Sequence, residues 1–180
     1  MKNKKPKITG PLSLLSMLLF TACGGMNYTK TVDHVDIQKF MGTWYVITGR
    51  TSFLEEGATN SVEKYTWNEA DQNIDIDFSF HKDSPTGPLK SIPQKAWIFN
   101  SQTNAHWKVQ PFWPLKFDYL VVAMDPNYEW TVIGVPSGSY IWIMARTPEI
   151  SDAKMAEIMS TLQAVGYPTD GMSKVIQQWK

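Results

Sequence analysis

The chain has 180 residues, 17 basic and 17 acidic side chains, a formal charge of zero, 43% apolar residues, 13% aromatic residues and one cysteine. That length is about one domain's worth of chain, enough to bury a core without metal or cross-links. A lone cysteine excludes a disulfide within the chain, and the balanced charge with no basic stripe argues against a nucleic-acid partner.

Lys2, Lys4, Lys5 and Lys7 precede an apolar run from Leu12 to Phe20, which ends in Thr21-Ala22-Cys23. A basic start, a short apolar stretch and small residues form a secretory signal over residues 1–22. A membrane-spanning helix needs roughly 20 apolar residues, so this run of nine is too short to remain as a span. Its removal takes four lysines and no acid, leaving 13 basic against 17 acidic residues and a charge of −4. Such a domain has no electrostatic attraction to anionic head groups.

Residues 23–34 are polar and without period, and read as a linker. The domain proper is expected over residues 35–180. Short β-prone runs there are separated by turn residues at intervals of roughly 8 to 12, the spacing of a sandwich or barrel. They cover Gly42 to Arg50, Ala58 to Trp67, Asn73 to Phe80, Lys95 to Asn100, His106 to Gln110, Phe117 to Met124, Tyr128 to Val135 and Tyr140 to Arg146. Ile74 to Phe80 alternates apolar and polar residues as a half-buried antiparallel strand requires. Asp125-Pro126-Asn127 supplies a tight connection between two apolar runs.

One helix is predicted. Ser151 is its N-cap candidate, Asp152 suits the helix dipole, and Met155, Ile158, Met159, Leu162 and Val165 recur at helical spacing before Gly166 ends it. Lys174 to Trp179 is expected to return as a short strand. The class is therefore all-β: an eight-stranded antiparallel up-and-down barrel with one C-terminal helix and a return strand, which leaves an interior able to hold one small ligand.

Two resemblances sharpen this reading. Leu19-Phe20-Thr21-Ala22-Cys23 resembles the lipobox of bacterial lipoproteins, with Phe20 where that family usually has Leu. The likeness implies that Cys23 is acylated, by palmitate among other chains, and becomes the mature N-terminus. It also implies sorting to the outer membrane, because Gly24 stands where Asp commonly retains lipoproteins in the inner membrane. The second likeness is to the lipocalin family, and to bacterial outer-membrane lipocalins in particular. Gly42-Thr43-Trp44-Tyr45 is similar to the first lipocalin signature, Asp125 matches the second conserved loop, and Arg146 matches the third at the end of the last barrel strand. Met124-Asp125-Pro126 departs from the Thr-Asp-Tyr of many members.

The resemblance implies a closed barrel end where Arg146 lies across Trp44, a guanidinium over an indole, and a ligand site at the other end. Strand parity puts Tyr140, Trp142, Met144 and Arg146 on one face. Trp142 and Tyr140 are thus first candidates for the pocket wall, followed by Phe78, Phe80, Trp97 or Phe99, and Tyr119. Pro111-Phe112-Trp113-Pro114-Leu115 is expected as a loop whose Phe112 and Trp113 guard the mouth or seat against a membrane.

The ligand implied is a fatty acid, lysophospholipid or phospholipid, held by apolar contact with its head group near the mouth and no buried charge cluster selecting it. The acyl groups at Cys23 are the expected membrane attachment, with the domain facing the periplasm; whether it is a monomer or a homodimer is open. No cofactor, metal or catalytic residue is expected: no Gly-x-Ser-x-Gly elbow or His-Glu-x-x-His occurs, and His34, His81 and His106 are scattered. A lipid-modifying enzyme on the same scaffold and a structural lipoprotein with a filled barrel are the competing readings.

Overall fold

The computed structural model describes residues 27–179. Cys23 and the signal segment lie outside the described residues. Nine strands form one sheet: β1 (Gly42–Arg50), β2 (Ala58–Asn68), β3 (Asn73–Lys82), β4 (Leu89–Ile98), β5 (His106–Phe112), β6 (Leu115–Met124), β7 (Trp130–Gly134), β8 (Ile141–Ala145) and β9 (Ser173–Lys174). A short helix, α1 (Ile37–Phe40), precedes β1, and α2 (Asp152–Val165) follows β8. From β1 to β8 each strand pairs antiparallel with the next, and β1 also pairs with β8, so these eight strands close into an up-and-down barrel.

Closure is made in two parts. In the lower half, Gly42 to Tyr45 of β1 pairs directly with Val62 to Tyr65 of β2. In the upper half the C-terminal segment lies between the two strands: Thr48 and Gly49 pair with β9, and Asn60 N donates to Ile176 O at 2.7 Å. Gln177 Nε2 ties both sides, donating to Val46 O and Ser61 O at 2.9 and 3.0 Å. The expected return strand is thus shorter as a ladder than residues 174–179, but the chain continues along the seam.

The structure corrects three boundaries. β4 runs from Leu89 to Ile98, beginning six residues before the expected Lys95 and ending two before the expected Asn100, because Pro88 and Pro93 disguise its start as loop. β5 pairs with only Lys95 to Ile98, so at Pro93 one side of β4 is an edge, where the missing N–H is tolerated. The expected loop from Pro111 to Leu115 is instead a hairpin tip: β5 runs to Phe112, β6 starts at Leu115, and only Trp113-Pro114 intervenes. Finally, residues 27–34 do not hang free of the barrel. Tyr28 N donates to Pro136 O, Val32 N to Val121 O and Val35 N to Thr103 O, at 2.7 to 2.9 Å.

Alternation sorts two cores. Inside the barrel's lower half lie Phe40, Trp44, Tyr65, Ile74, Ile76, Trp107 and Met144. Outside it, Leu120, Val122, Val132, Ile141 and Ile143 pack against Ile158 and Leu162 of α2. The helix starts where Ser151 Oγ accepts from Lys154 N at 3.2 Å and ends at Gly166, whose φ of 73° is the left-handed conformation glycine adopts freely.

Candidate functional site

The closed end is built on α1 and the start of β1. Trp44 is fully buried; its Nε1 donates to Phe40 O at 2.9 Å, and the Arg146 guanidinium lies 3.6 Å from the centre of its ring. Arg146 also donates to Thr43 O, Lys39 O, Phe40 O and Tyr128 O at 2.7 to 3.3 Å. It therefore satisfies carbonyls at the end of α1 that no helix bond can reach. Gly42 makes the approach feasible: its φ is 98°, and a Cβ there would stand 3.4 Å from Arg146 Nη1. Asp125 shapes the adjacent β6–β7 turn, accepting from Asn127 N at 2.7 Å. Tyr45 faces outward and meets Trp179 edge-on at 5.5 Å.

Above Trp44 the lower half is filled by rings. Phe40 contacts Trp44, Trp107 and Tyr65 at centroid distances of 5.0 to 5.3 Å, and Trp107 stacks on Tyr119 at 5.4 Å. Filling stops there. The upper half encloses a cavity of about 490 Å³ lined by, among others, Phe78, Ile92, Val109, Phe112, Tyr119 and Trp142, a size suited to one small ligand. It reaches the end of the barrel where Phe53, Leu54, Pro136 and Tyr140 form the rim.

Five expected wall residues meet here: Trp142, Tyr140, Phe78, Phe112 and Tyr119. Three do not. Phe80 is buried against Phe78, with centroids 5.3 Å apart, without lining the cavity. Trp97 points outward, because its neighbour Ala96 takes the interior position, and Lys116 Nζ sits 3.4 Å from its ring centre. Trp113 is 85% exposed at the hairpin tip beside an outer groove. Phe99, the alternative to Trp97, is also exposed, under Lys108.

The cavity wall also carries two ionisable groups that the sequence did not point to. Glu63 of β2, only 8% exposed, and Glu55 of the 3-10 turn Phe53–Glu55 both line it. Tyr65 hydroxyl donates to Glu63 Oε2, and the Tyr65 and Tyr119 hydroxyls are 2.5 Å apart. Trp142 Nε1 donates to Glu55 Oε2 at 3.0 Å, and Ser52 N and Oγ donate to Glu55 Oε1 at 3.2 and 3.1 Å. Burial, and then the Glu55 charge, push the Glu63 carboxyl up to about 8; burial raises Glu55 as well, against its hydrogen bonds from Trp142 and Ser52. The signal in the sequence was parity: Tyr65 is a natural interior ring, and Glu63 two residues earlier shares its face.

A closed eight-stranded barrel with an arginine-capped tryptophan at one end, a cavity at the other and a helix packed on its wall defines a lipocalin. The family model described as a lipocalin-like domain matches residues 35–177, and the chain belongs to that family. Relatives include the outer membrane lipoprotein Blc of Vibrio cholerae, 25% identical over 92% of this chain and 96% of that one. The protein of the same name from Escherichia coli strain K12 is 28% identical over 76% of each chain. Among solved structures, the cockroach allergen Per a 4 superposes with a TM-score of 0.63 over 83% of this chain and 92% of that one, at 19% identity, a likeness of fold alone.

Proposed function

We propose that this lipocalin is a lipid-anchored carrier of the bacterial outer membrane, which holds one chain of a fatty acid, lysophospholipid or phospholipid for envelope maintenance. The observation that carries the reading is the cavity: about 490 Å³ left empty above a ring-filled lower half, walled mainly by Phe78, Ile92, Val109, Phe112 and Trp142. A structural lipoprotein with a filled barrel would have no such space. Ser52 Oγ donates to Glu55 Oε1 at 3.1 Å as part of the cap of the 3-10 turn, a structural pairing, so binding is a better account than turnover. The relatives named outer membrane lipoproteins support the location, and the lipobox-like segment ending in Cys23 supports acylation as the attachment.

The rim favours a mouth turned toward the membrane. Phe53, Leu54, Phe112, Trp113 and Leu115 are exposed there, and Tyr28, five residues after Cys23, is bonded to Pro136 of the same rim. A short tether from Cys23 then brings these rings to the interface, where aromatic side chains are favoured. Native mass spectrometry of the purified protein tests the carrier reading: a co-purifying lipid of one chain is expected, and an empty protein that takes up none of the three lipid classes would refute it.

A further inference from the structure

The cavity has acids and no base. Among the described residues Glu55, Glu63 and Asp118 line it, and no Lys, Arg or His does. Asp118 is already neutralised by β5, with His106 Nε2 at 2.6 Å and Lys108 Nζ at 2.5 Å. The groups facing Glu55 and Glu63 are Ser52 and Trp142 on one and the Tyr65 and Tyr119 hydroxyls on the other. Among the described residues these supply hydrogen bonds but no positive charge. A carboxylate buried without a counter-ion is costly, and a fatty-acid carboxylate brought beside it would add like charge. A cation would relieve it. The ring faces of Tyr140 and Trp142, 5.9 Å apart on the same wall, add a second attraction for positive charge.

Resting on the carrier reading for the apolar chain, but replacing its fatty acid at the polar end, we infer that the preferred ligand is a single-chain amphiphile whose polar end is a protonated amine, its nitrogen lodged between Glu55 and Glu63 and its chain running along Phe78 and Phe112 toward the mouth. Head-group chemistry is then the selective feature and chain contact the general one. An ammonium group favours the ionised form of Glu63, so binding below about pH 8 drives one proton from that carboxyl to the buffer. Affinity for the amine rises as pH increases from 6 toward 8 for the same reason.

The test is a calorimetric titration of the full folded domain with decylamine, decanol and decanoate, which share a chain and differ at the polar end. Decylamine should bind about tenfold or more tighter than decanol, the scale of a hydrogen bond to a charged group, and decanoate weakest. Its binding heat should vary with the ionisation heat of the buffer, as proton release requires. Glu63→Gln and Glu55→Gln should each lower the amine-to-alcohol affinity ratio, by about tenfold for the more buried Glu63. Decanol or decanoate binding as tightly as decylamine to the unmodified protein would overturn the amine preference and leave the carrier reading standing. Failure of all three to bind would overturn both. Should Glu63→Gln not fold, Glu55→Gln and the ligand series decide alone.

Discussion

Trp44 carries two jobs that are separable by mutation: it fills the bottom of the barrel, and it is the platform on which Arg146 rests. Trp44→Ala removes a fully buried indole and should cost about 3 to 5 kcal/mol. Arg146→Ala loses one cation–π contact and bonds to four carbonyls that water can partly replace, so about 1 to 3 kcal/mol is expected. Denaturant midpoints measure both, and wild-type midpoints would deny the pair its closing role. Glu63 makes a prediction of opposite kind. Its carboxyl keeps its proton in the fold up to about pH 8, whereas the unfolded chain releases it near 4.5. Between those values the folded state binds the extra proton, so stability falls as pH rises, by up to about 1.4 kcal/mol for each pH unit, and the loss is complete above 8. Unfolding midpoints between pH 5 and 8 should therefore decline, and Glu63→Gln should flatten the decline; a flat profile in the unmodified protein would contradict it. Trp142 and Tyr140 were legible from parity with Arg146. Glu63 was not, because a lone acid among Val62, Lys64 and Thr66 reads as solvent-facing unless the register is anchored on Tyr65.

At the scale of elements, α2 explains why one wall of the barrel can be apolar on both faces. β8 reads Ile141-Trp142-Ile143-Met144-Ala145 without alternation, since Trp142 and Met144 face inward while Ile141 and Ile143 meet the helix. Leu162→Ala should cost about 2 to 5 kcal/mol, read as a lower melting temperature, while the affinity for a cavity ligand stays unchanged; a lost ligand with unchanged melting would reverse that assignment. Helix period and caps made α2 readable in full. β4 was readable only from Lys95 to Ile98, because Pro88 and Pro93 mimic a turn and only the missing β5 partner at that level makes Pro93 acceptable in a strand. The same prolines mask Ile92, which lines the cavity.

Across the whole molecule the aromatic excess divides by height: Phe40, Trp44, Tyr65 and Trp107 fill the closed half, Phe78 and Trp142 wall the cavity, and Phe53 and Trp113 stand exposed at the rim. Composition announced the rings but not their division, which depends on strand height as well as face. If the rim meets a membrane, Phe53→Ser with Trp113→Ser should reduce partitioning of the unacylated domain onto lipid vesicles, measured by co-sedimentation; equal partitioning would remove the rim from the account. On the proposed reading the space above the filled half holds an apolar chain. Each buried methylene contributes about 0.8 kcal/mol, so in calorimetric titrations with straight-chain alcohols of increasing length, affinity should climb steadily and then level off when the cavity is full. Trp142→Ala should lower the whole curve by about five- to tenfold through lost wall area. Binding that is absent, or that does not change with chain length, would contradict it.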